Sequence, residues 1–317
     1  NKEGLEYQGV IDILLDQEVN DEYYLMSIIS LIDGLFNQGK DLSDYFKRIE
    51  EFILSNITSI KDDEKLDELD LGINSIFGRG LRIIIEINLD ISNRNFDRFI
   101  TNFESYQVFF DKLNALYFLG QYLFWLYKEN KFQKWFEQIS KENQLIILYG
   151  FFKGSSYLSK EVFELSKKFK NELLENKEIL FNYMNHIFYM YIKENDQFLL
   201  EAIDENNSNK PVLEAVLNSI HAYKQQISDL PDPNVLRQVI KKLINSPHKK
   251  ELSSRILYYV DLLDIQDAEA LELFKALVQE QAINNFFYRD EACDKLTKLL
   301  DIRYYKDLLE ILNTLAR

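Results

Sequence analysis

The chain has 317 residues, of which 46% are hydrophobic and 14% aromatic, which is enough apolar material for one large domain or two ordinary ones. Its formal net charge is −15 and its pI about 4.8, which argues against general nucleic-acid binding, because neutralisation of phosphates by Lys and Arg dominates such affinity. Leu, Ile, Lys, Glu, Phe and Tyr predominate over Gly, Pro, Val and Thr, and this composition favours an all-α fold.

The negative charge is concentrated at the N-terminal end. Residues 1–76 hold 18 acidic and 6 basic side chains, a net charge of −12, whereas residues 77–210 carry −1 and residues 211–317 carry −2. Apolar spacing predicts helices over 5–17, 21–37 and 42–59. The uneven distribution of charge predicts that the N-terminal region attracts a basic partner.

The run DDEKLDELD, residues 62–70, is the most enzyme-like string. Clustered carboxylates on a helix hold Mg²⁺ and diphosphate in isoprenoid synthases, which are all-α and similar in length. Those enzymes place the cluster after a strongly apolar helix and carry a second metal motif, whereas a polar segment precedes this run and NDQFLLE at 195–201 lacks the required hydroxyl residue. We therefore interpret it as a solvated acidic segment and expect no metal.

The stretch GRGLRIIIEINLD, residues 78–90, allows two interpretations. Its odd positions are apolar, as in a half-buried strand, and a strand after Gly78-Arg79-Gly80 would resemble a ligand loop. No second stretch alternates in this way, and an isolated strand lacks a pairing partner. A helix starting near residue 80 and buried on two sides is favoured, with Arg79 and Arg82 near its N-terminus as a candidate anion site.

Further helices are predicted over 94–105, 107–129, 131–152, 159–174 and 177–203. Two of them are rich in aromatic residues and are expected to form the thickest part of the core. The apolar run 115–127 has 13 residues and contains Gln121, so it is too short to span a membrane.

A boundary is predicted near residue 208, inside the polar stretch DENNSNKP at 204–211. It divides an acidic, aromatic-rich helical region, 1–207, from a helical repeat region, 208–317. One continuous solenoid is the alternative, because no Gly/Ser-rich spacer accompanies the polar stretch.

The last third shows a regular helix spacing. Helices are predicted over 212–228, 233–245, 251–264, 268–282, 289–300 and 304–315, and alternate starts are separated by 35 to 39 residues. Two helices per period of this length are typical of an α-solenoid, in which stacked repeats bury one another.

Two segments of this region resemble HEAT repeats. YRDEACDKLTKLL, residues 288–300, has the second-helix pattern of an apolar residue, Arg, Ala and Leu, at Tyr288, Arg289, Ala292 and Leu296. DPNVLRQVIKKL, residues 232–243, is similar to the Asp-Pro turn and helix start of these repeats, with one extra residue between Val235 and Arg237. The resemblance covers about 100 residues and implies HEAT- or armadillo-like stacking of antiparallel helix pairs.

A basic segment at 237–255 is the strongest binding candidate in the sequence. Its basic residues are Arg237, Lys241, Lys242, Lys249, Lys250 and Arg255, against the single acid Glu251. Such a cluster suits phosphate, nucleic acid or an acidic partner, and the alternative is a solvated turn that balances the acidic N-terminal region.

Residues suited to catalysis are sparse. His186, His221 and His248 are far apart in sequence, and we predict His186 in the core and the other two at the surface. Cys293, the only cysteine, follows Ala292 on an apolar helical face and is predicted to be a buried thiol. No nucleophile elbow, phosphate-binding loop or dinucleotide fingerprint occurs, and no cofactor is expected.

These features favour a non-catalytic scaffold that binds a protein or peptide, preferably a basic one, on the concave face of a solenoid. The alternative is a HEAT-type nucleic-acid binder that uses the basic segment. A single cysteine favours a reducing compartment such as the cytoplasm. The chain starts at Asn1 rather than methionine and is expected to be a fragment of a longer or processed chain, so the missing signal peptide carries little information on location.

Overall fold

The fold is seen in a computed structural model. The structure describes residues 2–19, 21–58, 75–89, 96–154, 158–228, 234–257, 259, 268, 271–272, 275–276 and 305–315. All regular structure in these residues is helical, without a strand, so the predicted all-α class is confirmed. None of the helices described has the length and apolar character required to cross a membrane.

The chain divides into two compact units, residues 1–169 and 170–317. The first unit contains the helices α1 Lys2–Leu15, α2 Glu22–Asn37, α3 Phe46–Ile57, α4 Ile76–Asn88, α5 Asp97–Thr101, α6 Gln107–Phe110, α7 Leu113–Gly120, α8 Leu123–Leu126, α9 Asn130–Gln138, α10 Lys141–Gly154 and α11 Lys160–Ser166, with 3₁₀ turns at Ser43–Tyr45, Phe103–Tyr106 and Lys167–Phe169.

Helix α4 lies at the centre of the first unit and contacts α2, α3 and α7, while α10 packs along α7. Its isoleucines at 83, 84, 85 and 87 are all at most 3% exposed. This is the stretch that alternates in sequence, and the alternation reflects a helix buried on nearly every side. The helical interpretation is confirmed.

Helix α4 begins earlier than residue 80. Ser75 has extended backbone angles, and its Oγ accepts a hydrogen bond of 2.8 Å from the Gly78 N–H, which is the N-cap arrangement. Gly78 and Gly80 are therefore helical residues and not a ligand loop. A Cβ at Gly80 would lie 3.2 to 3.4 Å from Ile57, Phe109 and Ile53, so this glycine permits close packing against α3 and α6.

Helices α7 and α10 cross at an unusually short distance. A Cβ added to Gly150 would overlap the carbonyl oxygen of Tyr117, and one added to Gly120 would overlap the carbonyl oxygen of Ile147. Only glycine at both positions allows the two backbones to touch.

Several predicted helices are interrupted. The segment 107–129 forms three short helices, and the segment 131–152 forms two. The break within 131–152 lies at Ser140, whose Oγ accepts a hydrogen bond of 3.1 Å from the Asn143 N–H. The segment 159–174 contains a 3₁₀ turn, and 177–203 is broken at Asn195, where φ is 55°.

The second unit contains α12 Lys170–Glu175, α13 Leu180–Glu194, α14 Phe198–Glu205, α15 Lys210–Ala222, α16 Lys224–Ser228, α17 Asn234–Ile244, α18 Lys249–Leu257 and α19 Tyr305–Leu315. Helix α13 packs most extensively on α15, α15 also contacts α18, and α14 contacts α17. Predicted helices at 268–282 and 289–300, with the HEAT-like residues at 288–296, fall mostly or wholly outside the described residues.

The polar stretch 204–211 lies within the second unit. It joins α14 to α15 through a turn in which the Asn209 N–H donates to the Asn206 carbonyl at 2.8 Å, while the Asn206 side chain donates to the Ala202 carbonyl at 3.0 Å. Its amide side chains satisfy helix ends, which explains the composition that predicts a boundary there. The compact units instead divide between residues 169 and 170.

Candidate functional site

A cavity of about 700 Å³ opens in the first unit, beside the ends of α2 and α4. Among the described residues, those that line it are Phe36, Asn37, Gly39, Lys40, Asp41, Leu42, Phe46, Glu86, Leu89 and Tyr122. Its volume is in the range of ligand-binding clefts in proteins.

The loop after α2 is held in one conformation by its own hydrogen bonds. The Gly39 N–H donates to the Phe36 carbonyl at 2.9 Å and the Lys40 N–H donates to the Leu35 carbonyl at 3.1 Å, with Gly39 at a φ of 67°. This is the Schellman ending of a helix, and it requires the left-handed conformation that glycine adopts freely. The chain is thereby turned back so that Lys40, Asp41 and Leu42 line the cavity.

Asp41 stabilises the next turn of the loop. Its Oδ1 accepts a hydrogen bond of 3.0 Å from the Ser43 N–H, and this bond lowers the pKa of the Asp41 carboxyl below its usual value. Ser43 opens the 3₁₀ turn before α3, which places the Phe46 ring against Phe36 with centroids 6.0 Å apart. The two rings form an apolar wall of the cavity.

A polar network centred on Arg82 lies beside this wall. The guanidinium donates from Nε to Glu86 Oε1 at 2.9 Å and from Nη2 to Asn37 Oδ1 at 2.6 Å, and Nη1 lies 3.5 Å from Asp33 Oδ1. Asn37 in turn donates to Asp33 Oδ2 at 3.4 Å. Asp33 is only 8% exposed, so these contacts compensate a nearly buried carboxylate.

The surroundings raise the pKa of both Arg82 and Tyr122. Burial lowers the pKa of Arg82, but the hydrogen bond and negative charge of Glu86 outweigh burial and the pKa is raised overall. Burial and then the charge of Glu86 raise the pKa of Tyr122 to about 12, so its phenol remains neutral. The cavity is therefore bordered by a neutral phenol, a charged guanidinium and two carboxylates.

The described residues contain no group of three His, Cys, Asp or Glu side chains placed to hold a metal ion. Polar groups beside the cavity bind one another, and its wall is aromatic and aliphatic. An arrangement of this kind is suited to binding an apolar or amphipathic ligand.

The two arginines of the predicted anion site have separate surroundings. Arg79 donates to Ser30 Oγ at 2.6 Å, while Arg82 belongs to the network with Asp33 and Glu86. Because α4 begins at Ile76, Arg79 is its fourth residue and Arg82 its seventh, so Arg82 lies beyond the first turn. The anion site stays a prediction, and the compensation of Arg82 weighs against it.

The basic segment 237–255 is not one continuous cationic surface. Arg237 is 5% exposed, Lys242 forms an ion pair with Asp204, and Arg255 contacts Asn218 and lies 3.9 Å from Glu214. The side chains of Lys241, Lys249 and Lys250 are exposed. Arg237 is therefore buried, and Lys242 and Arg255 have partners within the second unit.

A second cavity, of about 500 Å³, lies beside this segment and is lined by Glu205, Asn206, Ser208, Asn209, Lys210, Pro211 and His248. The His248 Nε2 lies 3.0 Å from the Ser208 carbonyl. Lys210 pairs with Glu251, and this hydrogen bond lowers the pKa of the Glu251 carboxyl. The lining residues Lys210 and Glu205 are thus both paired, Lys210 with Glu251 and Glu205 with Lys170.

The remaining candidates agree with structural roles where they are described. His186 is 3% exposed, as predicted for a core residue, His221 is exposed, and His248 is partly exposed. Cys293 and the acidic run 62–70 lie outside the described residues.

Sequence reasoning overlooked the cavity. The signals that mark it are Gly39 after a helical pattern, Asp33 within the apolar face of α2, and Arg82 with Glu86 four residues apart on α4.

Comparison with protein-family models, with curated proteins and with solved structures gives no match.

Proposed function

We propose that this protein is a non-catalytic helical-repeat interaction protein that binds a protein or peptide partner. The cavity of the first unit carries the proposal, because it combines an apolar wall with polar groups at its border. Phe36, Phe46 and Leu89 are each half-buried in its lining and leave apolar surface for a ligand. Full burial of one leucine or aromatic side chain contributes about 1.5–3 kcal/mol, which is the size of an interface hot spot.

The proposal includes an α-solenoid architecture of the HEAT or armadillo type. Packing between helices that are not consecutive in the chain supports it within each unit: α2, α4, α7 and α10 contact in succession in the first unit, and α13, α15 and α18 in the second. In solenoids, each helix of a pair packs on its equivalent in the next pair. The concave face expected of such repeats is the proposed location of the partner.

The preferred partner is basic, and the proposed location is the cytoplasm. The net charge of −12 over residues 1–76 supports attraction of a basic partner, and the single cysteine supports a reducing compartment. Attraction of this kind weakens as salt is added.

The test is selection of short random peptides displayed on phage against the purified chain. Leu89→Trp partly fills the cavity from its border, and Leu31→Trp is the matched control, because Leu31 is 43% exposed and does not line the cavity. We expect the selected peptides to share an apolar residue and to bind Leu89→Trp about tenfold or more weakly, the effect of losing one hot-spot contact.

Leu31→Trp is expected to bind these peptides as the native chain does. Thermal unfolding followed by circular dichroism verifies that both variants fold. Failure to enrich any peptide, or equal binding to Leu89→Trp and the native chain, would refute the proposed site.

A further inference from the structure

Among the described residues that line the first cavity, carboxylates outnumber cationic groups. Asp41 and Glu86 contribute carboxylates to the lining, and Lys40 contributes one ammonium group. Behind them, Arg82 is shared between Glu86 and the nearly buried Asp33. The formal charges of these five described residues, Asp33, Asp41, Glu86, Arg82 and Lys40, sum to −1.

Aromatic rings face the same space as these carboxylates. Phe36 and Phe46 stack with an interplanar angle of 25°, and Tyr122 lines the cavity with them. The negative face of an aromatic ring attracts a cation that lies within about 6 Å of its centroid. Rings and carboxylates together favour a cation that carries an apolar stem, such as the side chain of lysine or arginine.

An anion is disfavoured at this place. Arg82 is already paired with the carboxylates of Asp33 and Glu86, and an anion in the cavity would lie beside the carboxylates of Glu86 and Asp41. A purely apolar ligand would leave Glu86, whose side chain is 25% exposed, partly desolvated without a new partner.

We propose that the cavity accepts a basic side chain of the bound peptide, with its cationic group at the carboxylates of Glu86 and Asp41 and its stem against Phe36, Phe46 and Tyr122. This inference rests on the proposed function and specifies the chemistry of the anchor residue. The acidic N-terminal region also attracts a basic peptide, over a longer distance.

Peptides selected against the native chain provide the probe. We expect them to share one lysine or arginine beside the apolar residue, and replacement of that residue by neutral norleucine or citrulline to weaken binding about tenfold, the size of one charge-assisted hydrogen bond. Glu86→Gln is expected to weaken binding of the basic peptide by a similar factor and to have little effect on the neutral one.

Glu51→Gln is the matched control, because Glu51 is a 65% exposed carboxylate on α3 that does not line the cavity. It changes the net charge equally and should leave affinity nearly unchanged. Asp41→Asn is a second variant at an exposed loop position, so it tests the same inference if Glu86→Gln fails to fold. Lys40→Ala removes the opposing ammonium and should strengthen binding about two- to fivefold.

The outcomes separate the two proposals. One outcome would overturn the basic anchor and leave the binding site intact. In it, the selected peptides bind Leu89→Trp more weakly than the native chain, but they share no basic residue and bind Glu86→Gln and Asp41→Asn normally. Peptides that bind Leu89→Trp normally would overturn both.

Discussion

Tyr122 lies between the cavity and the Arg82 network, and its phenol keeps its proton over a wide range of pH. An unfolded tyrosine ionises near pH 10, whereas burial and the charge of Glu86 raise the pKa of Tyr122 to about 12. Between these values the folded chain retains a proton that the unfolded chain releases. Stability from this residue is therefore complete below pH 10 and falls as the pH rises toward 12.

The native chain loses stability as the pH rises from 10 to 12. We predict that Tyr122→Phe makes this loss smaller by about 1–3 kcal/mol. Urea unfolding below and above the window, on the native chain and the variant, measures the difference. Tyr23→Phe is the control, since Tyr23 is 87% exposed and should behave like the native chain. Equal alkaline losses in the native chain and Tyr122→Phe would contradict the prediction.

Residue contacts near the cavity show the limit of sequence reasoning at this scale. Arg82 and Glu86 are four residues apart on α4, a spacing that predicts their contact. Asp33 and Asn37 lie more than forty residues upstream, and only the packing of α2 on α4 brings them to Arg82. An arginine that seems available to an anion in the sequence is therefore compensated in the fold.

At the scale of elements, the close crossing of α7 and α10 depends on two glycines. We predict that Gly150→Ala lowers the free energy of unfolding by about 1–3 kcal/mol or more, because the added methyl group meets the Tyr117 backbone and a backbone cannot rotate away as a side chain does. Gly120→Ala should behave similarly. Chemical denaturation provides the measurement.

Gly34→Ala is the matched control for these substitutions. Gly34 lies within α2, and an added Cβ meets no atom within 4 Å. Alanine there should stabilise the chain by about 0.5–1 kcal/mol, since it restricts the unfolded backbone. A stability loss at Gly150 no larger than the change at Gly34 would argue against the close crossing.

The sequence predicts which segments are helical, but it does not predict where a helical segment is interrupted. Apolar spacing correctly identifies helical character throughout 107–154, but the breaks at Lys112 and Ser140 carry no proline or glycine. Tertiary packing decides where these aromatic helices end, because each short helix buries rings on several sides. Similarly, the glycines before Leu81 suggest a loop in the sequence, whereas close packing against α3 and α6 explains Gly80.

On the scale of the whole molecule, charge distinguishes a peptide-binding protein from a nucleic-acid-binding one. Net charge is −15, Arg237 is buried, and Lys242 and Arg255 have partners within the second unit. We predict no retardation of duplex or single-stranded nucleic acid in gels at micromolar protein and physiological salt. Retardation that Lys241→Glu combined with Lys242→Glu abolishes would instead support the nucleic-acid alternative.

At this scale, composition and the compact units divide the chain at different places, and the boundary near residue 208 stays a prediction. Amide-rich residues near 208 resemble a linker, but their hydrogen bonds close a turn between α14 and α15. The division between residues 169 and 170 falls where a 3₁₀ turn meets a helix, without proline or glycine. Local composition carries no signal for it.

The distribution of tryptophan makes the first unit optically distinct. The chain has two tryptophans; Trp125 stacks on Phe96 with centroids 6.2 Å apart, and Trp135 packs 4.7 Å from Phe110, both in the first unit. Emission excited at the red edge of protein absorption thus reports on one unit, while circular dichroism reports on the helices of both. Denaturation curves recorded by the two signals on one sample will coincide only if both units unfold together. The native chain therefore needs no added dye to reveal whether its two units unfold cooperatively.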